Sequence, residues 1–295
     1  MSPNTAFQLY TLHGYVHGEA MPLVWALLPN KTRATYVELF QAVREAVVAR
    51  FGDCGAAART FLTDFELAAI QAIQEVFVGA RVKGCAFHFR QAVYRRVQQE
   101  GLAWAYEEEN NPLRDWIRQL LSFTALPTFA VPLVWTWMKD PPSVSSCVTD
   151  CKARALAEYF ERTWLAGTFP SELWSHYDNN GPRTTNVAEG WHNGLNSRFG
   201  LANPSLRLFL DWLQRFQFEV QCRCLQLAAG KAPRPRRPAY VRVDNELWNA
   251  KAAYSVEYGR IFCDIYPYDV AAGMNYFRMA TTRYLAHVSH LVGCN

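Results

Sequence analysis

Asp64 and Glu189 are the two residues of this sequence best placed to do chemistry. Asp64 ends a short apolar run, Thr60 to Thr63, and Glu189 sits far downstream in Asn-Val-Ala-Glu-Gly-Trp-His-Asn. Carboxylate oxygens are hard ligands that suit Mg²⁺. A metal pair held by two or three of them stabilises both the attacking and the leaving oxygen of an in-line displacement. Acidic residues at strand tips are also common without any such role. Cys85-x-x-His88 is half of a zinc pattern. Structural zinc takes four ligands, and Cys147 and Cys151 lie far off with irregular spacing, so zinc is not expected. Cys85 then reads as a small buried residue, and His88 as a side chain that orients something in the core or near the carboxylates. The sequence has no G-x-S-x-G and no phosphate-loop or dinucleotide glycine pattern, which argues against acyl-transfer chemistry and an organic cofactor.

The elements around Asp64 set its position. Leu67, Ile70, Ile73, Gln74 and Phe77 recur at helical steps, Gly79 ends that segment, and Ala80 to Cys85 reads as a strand. Strand, helix, strand is a βαβ unit, in which ligands gather at the carboxyl ends of strands, where Asp64 falls. Upstream, residues 6–17 and 20–28 read as two strands joined at Gly18-Glu19. A helix then runs from Asn30 or Thr32 to about Arg50, with Tyr36, Phe40, Val43, Val47 and Phe51 as its buried stripe and Gly52 as its stop. A hairpin followed by alternating helices and strands predicts an α/β fold with one mixed sheet.

A basic helix from His88 to about Gln99 puts Phe89, Val93 and Val97 on one face and Arg90, Arg95 and Arg96 elsewhere. Those arginines are either a solvated face or phosphate contacts. Residues 101–180 show no strand alternation. Tryptophans punctuate helical stretches there and prolines break them, which predicts an α-helical insertion. In the next helix Val187, Trp191, Leu195 and Phe199 form an apolar stripe. Glu189, Asn193 and Asn196 take the opposite side, with His192 at its margin. A wet helix face explains that pattern as well as a site does. Asn203-Pro204-Ser205 starts a helix with the stripe Leu206, Leu210, Leu213, Phe216 and Val220, closed by Gly230. Residues 231–238, KAPRPRRP, read as an unstructured basic arm: a linker or a nucleic-acid contact. The tail beyond it offers a last helix over Thr281 to Leu291.

Composition narrows the class. The chain has 295 residues, half of them hydrophobic, with a net charge of +4 and eight cysteines. That supports a real core, permits a nucleic-acid partner, and is too sparse in cysteine for a disulfide scaffold. No signal peptide or membrane-spanning run is read from the sequence, so an intracellular protein with no membrane partner is expected.

Four motifs taken together resemble the transposase domain of Mutator-like elements. They are QLYTLHGYVHGEAMPLVWALLPNKTRATYVELFQAV, FLTDFELAAIQAIQEVF, KGCAFHFRQAVYRRVQ and RTTNVAEGWHNGLNSRFG, in the family's order, over roughly residues 6–100 and 183–215. The resemblance implies a ribonuclease-H-like fold with a helical insertion, and DNA cleavage and joining by an Asp-Asp-Glu triad with Mg²⁺ or Mn²⁺. It implies a DNA partner, room for a homo-oligomer, and a nuclear location. It assigns Asp64 as the second triad aspartate and Glu189 as the triad glutamate, both as metal ligands. It sets Cys85 and His88 as the family's Cys-x-x-His pair, and His192 and Asn193 as supporting residues. Arg90, Arg95, Arg96, Arg183 and Arg198 are the candidate DNA contacts.

The expected organisation is 1–100 as the N-terminal part of the core, 101–180 as the insertion, 181–230 as core helices carrying Glu189, and 231–295 as basic linker and tail. The family's first aspartate lies on a strand before the Gln-Leu-Tyr-Thr-x-His-Gly stretch, which starts here at Gln8. The first strand and its aspartate are therefore expected to be missing. Asp53, Glu66 and Asp178 are poor substitutes by position. The expectation is a degenerate transposase domain that does not cut DNA by itself. The alternative is a domesticated, non-catalytic protein that binds DNA or a protein partner.

Overall fold

The computed structural model describes residues 7–52, 60–199 and 204–292. The protein is mixed α/β, with small sheets and many helices, and divides into two compact units. The first comprises residues 1–82 and 184–236, the second residues 83–183 and 237–295.

In the first unit, β1 (Gln8–Val16) and β2 (Glu19–Leu28) form an antiparallel hairpin. Its turn is His17-Gly18, one residue earlier than the sequence suggests, with φ of 47° and 84°. Positive φ at both turn positions matches the right-handed twist of the flanking strands, and glycine adopts it without strain. Pro22 stands opposite His13, where the register shifts, as expected for a residue with no N–H to give the ladder. α1 (Arg33–Phe51) begins at Thr32, whose hydroxyl accepts from the Thr35 N–H, and ends at Gly52 with φ of 75°. Only the N-terminal half of its expected stripe is buried. Tyr36 and Phe40 are fully enclosed, stacked on each other and touched by Tyr10 and Phe77, whereas Phe51 is 68% exposed.

β3 (Thr60–Thr63), α2 (Leu67–Val76) and β4 (Arg81–Gly84) follow, the division between the units falling within β4. The single mixed sheet expected from the sequence is two sheets of two strands each among the described residues, β1 with β2 and β3 with β4. β3 and β4 have four residues each, so their ladder is short. α9 (Asn186–Phe199) and α10 (Leu206–Ala228) complete the unit. On α9, Leu195 is buried, Trp191 half-buried and Val187 exposed, and the side chain of Phe199 lies outside the described residues. On α10 the buried positions are Phe209 and Leu227, while Leu206 and Leu210 are exposed. The helix is turned by about one residue, roughly 100°, from the expected stripe at its start, because Phe209 is the larger apolar group to bury.

The second unit is helical: α3 (Ala86–Gln99), α4 (Ala103–Glu107), α5 (Pro112–Leu121), α6 (Ala130–Met138), α7 (Cys147–Phe160), α8 (Ser171–Trp174), α11 (Pro238–Arg260) and α12 (Val270–Val292). The tail thus holds two long helices where the sequence suggested one short one. Phe89, Val93 and Val97 of α3 are fully buried, as their spacing predicts. Phe89 packs against Phe160, Trp164 and Trp174, so these tryptophans are core, whereas Trp104 is exposed. No helix among the described residues is long and apolar enough to cross a membrane.

Candidate functional site

β3 ends at Thr63, and Asp64 follows in the exposed turn before α2. α9 begins just after Thr185, whose carbonyl accepts the N–H groups of Ala188 and Glu189 and so starts the helix. That winding brings the Glu189 side chain back over Thr185. The Thr185 hydroxyl lies 3.0 Å from Asp64 Oδ1 and 3.5 Å from Glu189 Oε1. It donates to the nearer carboxylate. Asp64 is exposed and Glu189 half-buried, so the cluster opens to solvent. In the sequence Thr185 stands out only within Thr184-Thr185-Asn186, a run of residue types that cap helices.

The floor beside Asp64 comes from β1 and α1. Tyr10 is pushed up to about 12, chiefly by burial, with the charges of Glu66 and Asp64 adding to the rise. The Tyr36 hydroxyl accepts from Gln8 Nε2 at 2.8 Å and donates to Glu66 at 2.6 Å. Glu66 also meets Lys31 at 3.8 Å. It is therefore spent on Tyr36 and Lys31. Of the other two weak substitutes for a third carboxylate, Asp178 belongs to the second unit, and Asp53 lies outside the described residues.

The supporting histidine, His192, stands on α9 with Nε2 3.5 Å from the Thr11 hydroxyl, and its ring meets Trp191. Burial lowers its pKa. Trp191 in turn packs edge-on against His13. Burial, with His192 nearby, brings His13 down to about 4, so that ring is neutral at physiological pH. Asn193 is exposed one turn beyond Glu189, and its carbonyl accepts from the Ser197 hydroxyl.

Cys85 and His88 belong to the second unit. Cys85 is fully buried at the start of α3, and half-buried His88 lies against Phe87. The candidate DNA-contacting arginines differ in their freedom. Arg95 is exposed and Arg90 half-buried on α3. Arg96 is held by Glu100 and lies over the Tyr159 ring. Arg183 is paired with Asp244. Arg198 is on α9, and its side chain lies outside the described residues.

The basic arm has no secondary structure over residues 231–237, yet it is tethered. Glu19, at the hairpin turn, accepts Arg223 of α10 at 2.6 Å and 3.3 Å and the Arg234 N–H at 3.0 Å. Arg223 also donates to the Ala232 carbonyl at 3.2 Å. Glu19 is held below the ordinary carboxylate range, chiefly by the Arg223 hydrogen bond.

These features define a mixed α/β protein with an oxygen-donor cluster at a strand end. Residues 4–92 match the MULE transposase domain family, so the resemblance read from the motifs is borne out over that stretch. No curated protein and no solved structure matches the chain.

Proposed function

We propose that this polypeptide is a transposase-derived, DNA-binding protein with a ribonuclease-H-like core, in which Asp64 and Glu189 hold a divalent cation. The observation that carries the reading is the convergence of both carboxylates on the Thr185 hydroxyl. The two carboxylates fit Mg²⁺ or Mn²⁺: they are anionic oxygen donors, one exposed and one half-buried, as hard and partly hydrated cations require. When bound, such an ion supplies Lewis-acid stabilisation of charge at a phosphate. The chain's own residues orient that site. Thr185 spaces the two carboxylates, and the start of α9 presents Glu189. The neutral His13 and half-buried His192 pack α9 against β1 without adding charge. Exposed Arg95 serves for phosphate contact, together with the outer face of the tethered basic arm.

DNA binding, and not DNA cutting, is the activity this reading assigns to the polypeptide. Two measurements test this. Binding to duplex DNA should weaken linearly with salt on a log–log plot, as phosphate contacts release counterions; salt-independent binding would remove DNA as the partner. Incubation with duplex DNA and Mg²⁺ or Mn²⁺ should give no product. Cleavage or strand transfer abolished by Asp64→Asn would overturn the non-cutting reading and identify a complete enzyme.

A further inference from the structure

Behind the carboxylate cluster, on the other side of α9, lies a cavity of about 220 Å³ that the candidate site does not use. The hairpin end supplies Met21 and Pro22, α9 supplies Trp191 and Gly194, and α10 supplies Trp212 and Phe216. Trp212 and Phe216, one turn apart, are stacked on each other, parallel within 8° with centroids 5.2 Å apart, and together line one side. Trp191 is inclined by 56° to Phe216 at 5.5 Å and makes the second wall. Gly194 leaves the α9 side open, since a Cβ there would meet no atom within 4 Å. The volume is roughly seven times the ~30 Å³ that a water takes in the liquid, which leaves space for a planar ring system.

We propose that this cavity binds an unpaired nucleobase of a single-stranded segment; the inference rests on the DNA-binding reading above. A stacked aromatic pair with an inclined third ring suits contact with any base, since every base has a π-face. The polar groups are placed for the rest of a nucleotide. Arg234 lines the cavity, and its side chain keeps 81% of its exposure while touching Glu19 at 3.5 Å, so its outer N–H groups can meet the flanking phosphate. Glu219, also on α10, lines the same cavity. Glu19 does not repel the strand, because Arg223 already neutralises it.

The test uses the full chain and a short single-stranded oligonucleotide with either normal bases or one abasic position. Tryptophan fluorescence and anisotropy are read together, with duplex DNA titrated in parallel. Removing the base should weaken wild-type binding by about ten- to a hundredfold. Normal oligonucleotide should quench tryptophan emission. Trp212→Ala should bind the two oligonucleotides equally. Gly194→Leu, which fills the cavity without deleting any packed side chain, should do the same and covers the case in which Trp212→Ala does not fold. Duplex binding should persist in both variants.

If wild type binds normal and abasic oligonucleotides alike while duplex binding stands, the cavity proposal fails and the DNA-binding reading survives. If no nucleic acid binds, both fail. Saturation of the quench by a trimethyl-lysine peptide and not by the oligonucleotide would assign the aromatic walls to a quaternary ammonium and overturn the nucleobase.

Discussion

Thr185 Oγ1 stands 3.0 Å from Asp64 Oδ1, although the two residues are 121 positions apart. The same hydroxyl is 3.5 Å from Glu189. One neutral group therefore lies beside both carboxylates that the motifs singled out separately, and gives its proton to Asp64.

That relationship predicts how a cation should bind. Asp64→Asn and Glu189→Gln should each weaken Mn²⁺ binding, measured by electron paramagnetic resonance of the free ion. Thr185→Val removes a group that orients both carboxylates and should cost about 10–100-fold, as loss of outer partners typically does, while Thr185→Ser should retain affinity. Unchanged Mn²⁺ binding in Asp64→Asn and Glu189→Gln would show that the cluster is not a cation site.

His176 predicts an acid-sensitive second unit. It is 1% exposed; its Nε2 donates to the Gly84 carbonyl at 2.7 Å and its Nδ1 accepts from the Asn179 amide at 2.9 Å. A proton on Nδ1 would face a donor, and burial already brings the pKa down to about 4 from 6.5. The unfolded chain therefore takes up the proton first. Stability is complete above about pH 6.5 and is lost as pH falls toward 4, by about 3 kcal/mol at most from this residue. His176→Gln should flatten thermal stability against pH over that window. An equally steep profile in the variant would exclude His176 as the cause.

Phe89 predicts where the second unit is most sensitive to truncation. It is fully buried, stacked on Trp174 at 5.2 Å and within 4.4 Å of Trp164 between ring centroids. Phe89→Ala should cost about 3–5 kcal/mol in denaturant unfolding, from lost transfer energy and the cavity left behind. A loss below about 1 kcal/mol would mean that the cluster collapses freely around the gap.

Glu19 predicts a releasable arm. Its carboxylate holds Arg223 and the Arg234 N–H together. Glu19→Ala should free residues 231–237 and speed trypsin cleavage after Lys231 and Arg236, the basic residues of the arm not followed by proline. Arg223→Ala should do so less, because the Arg234 N–H bond to Glu19 remains. Cleavage at the wild-type rate in Glu19→Ala would show that the prolines alone keep the arm in place.

Much of the local structure was legible in the sequence because it follows from short-range chemistry. The hairpin, the Thr32 cap, the Gly52 and Gly230 stops and the buried face Phe89–Val93–Val97 depend on residues within a turn or two of one another. Stripes failed where the outer half of a helix is exposed among the described residues, as at Phe51, or where rotation of a long helix favoured Phe209 over Leu206 and Leu210. The MULE relationship was legible for a different reason: four motifs in a fixed order are specific even when each is weak alone, and it is borne out over residues 4–92.

By itself, then, the sequence determined most elements before the tail, their order and the family match of residues 4–92, since each is encoded in local pattern. The tertiary structure decided which side chains share a place. Only the fold could show that Thr185 sits between Asp64 and Glu189, that Glu19 tethers the basic arm, and that Trp191, Trp212 and Phe216 wall one cavity. Periodicity reports the face of a helix on which a residue lies. The partner that face meets is set by how distant segments pack, and that information is spread over the whole chain.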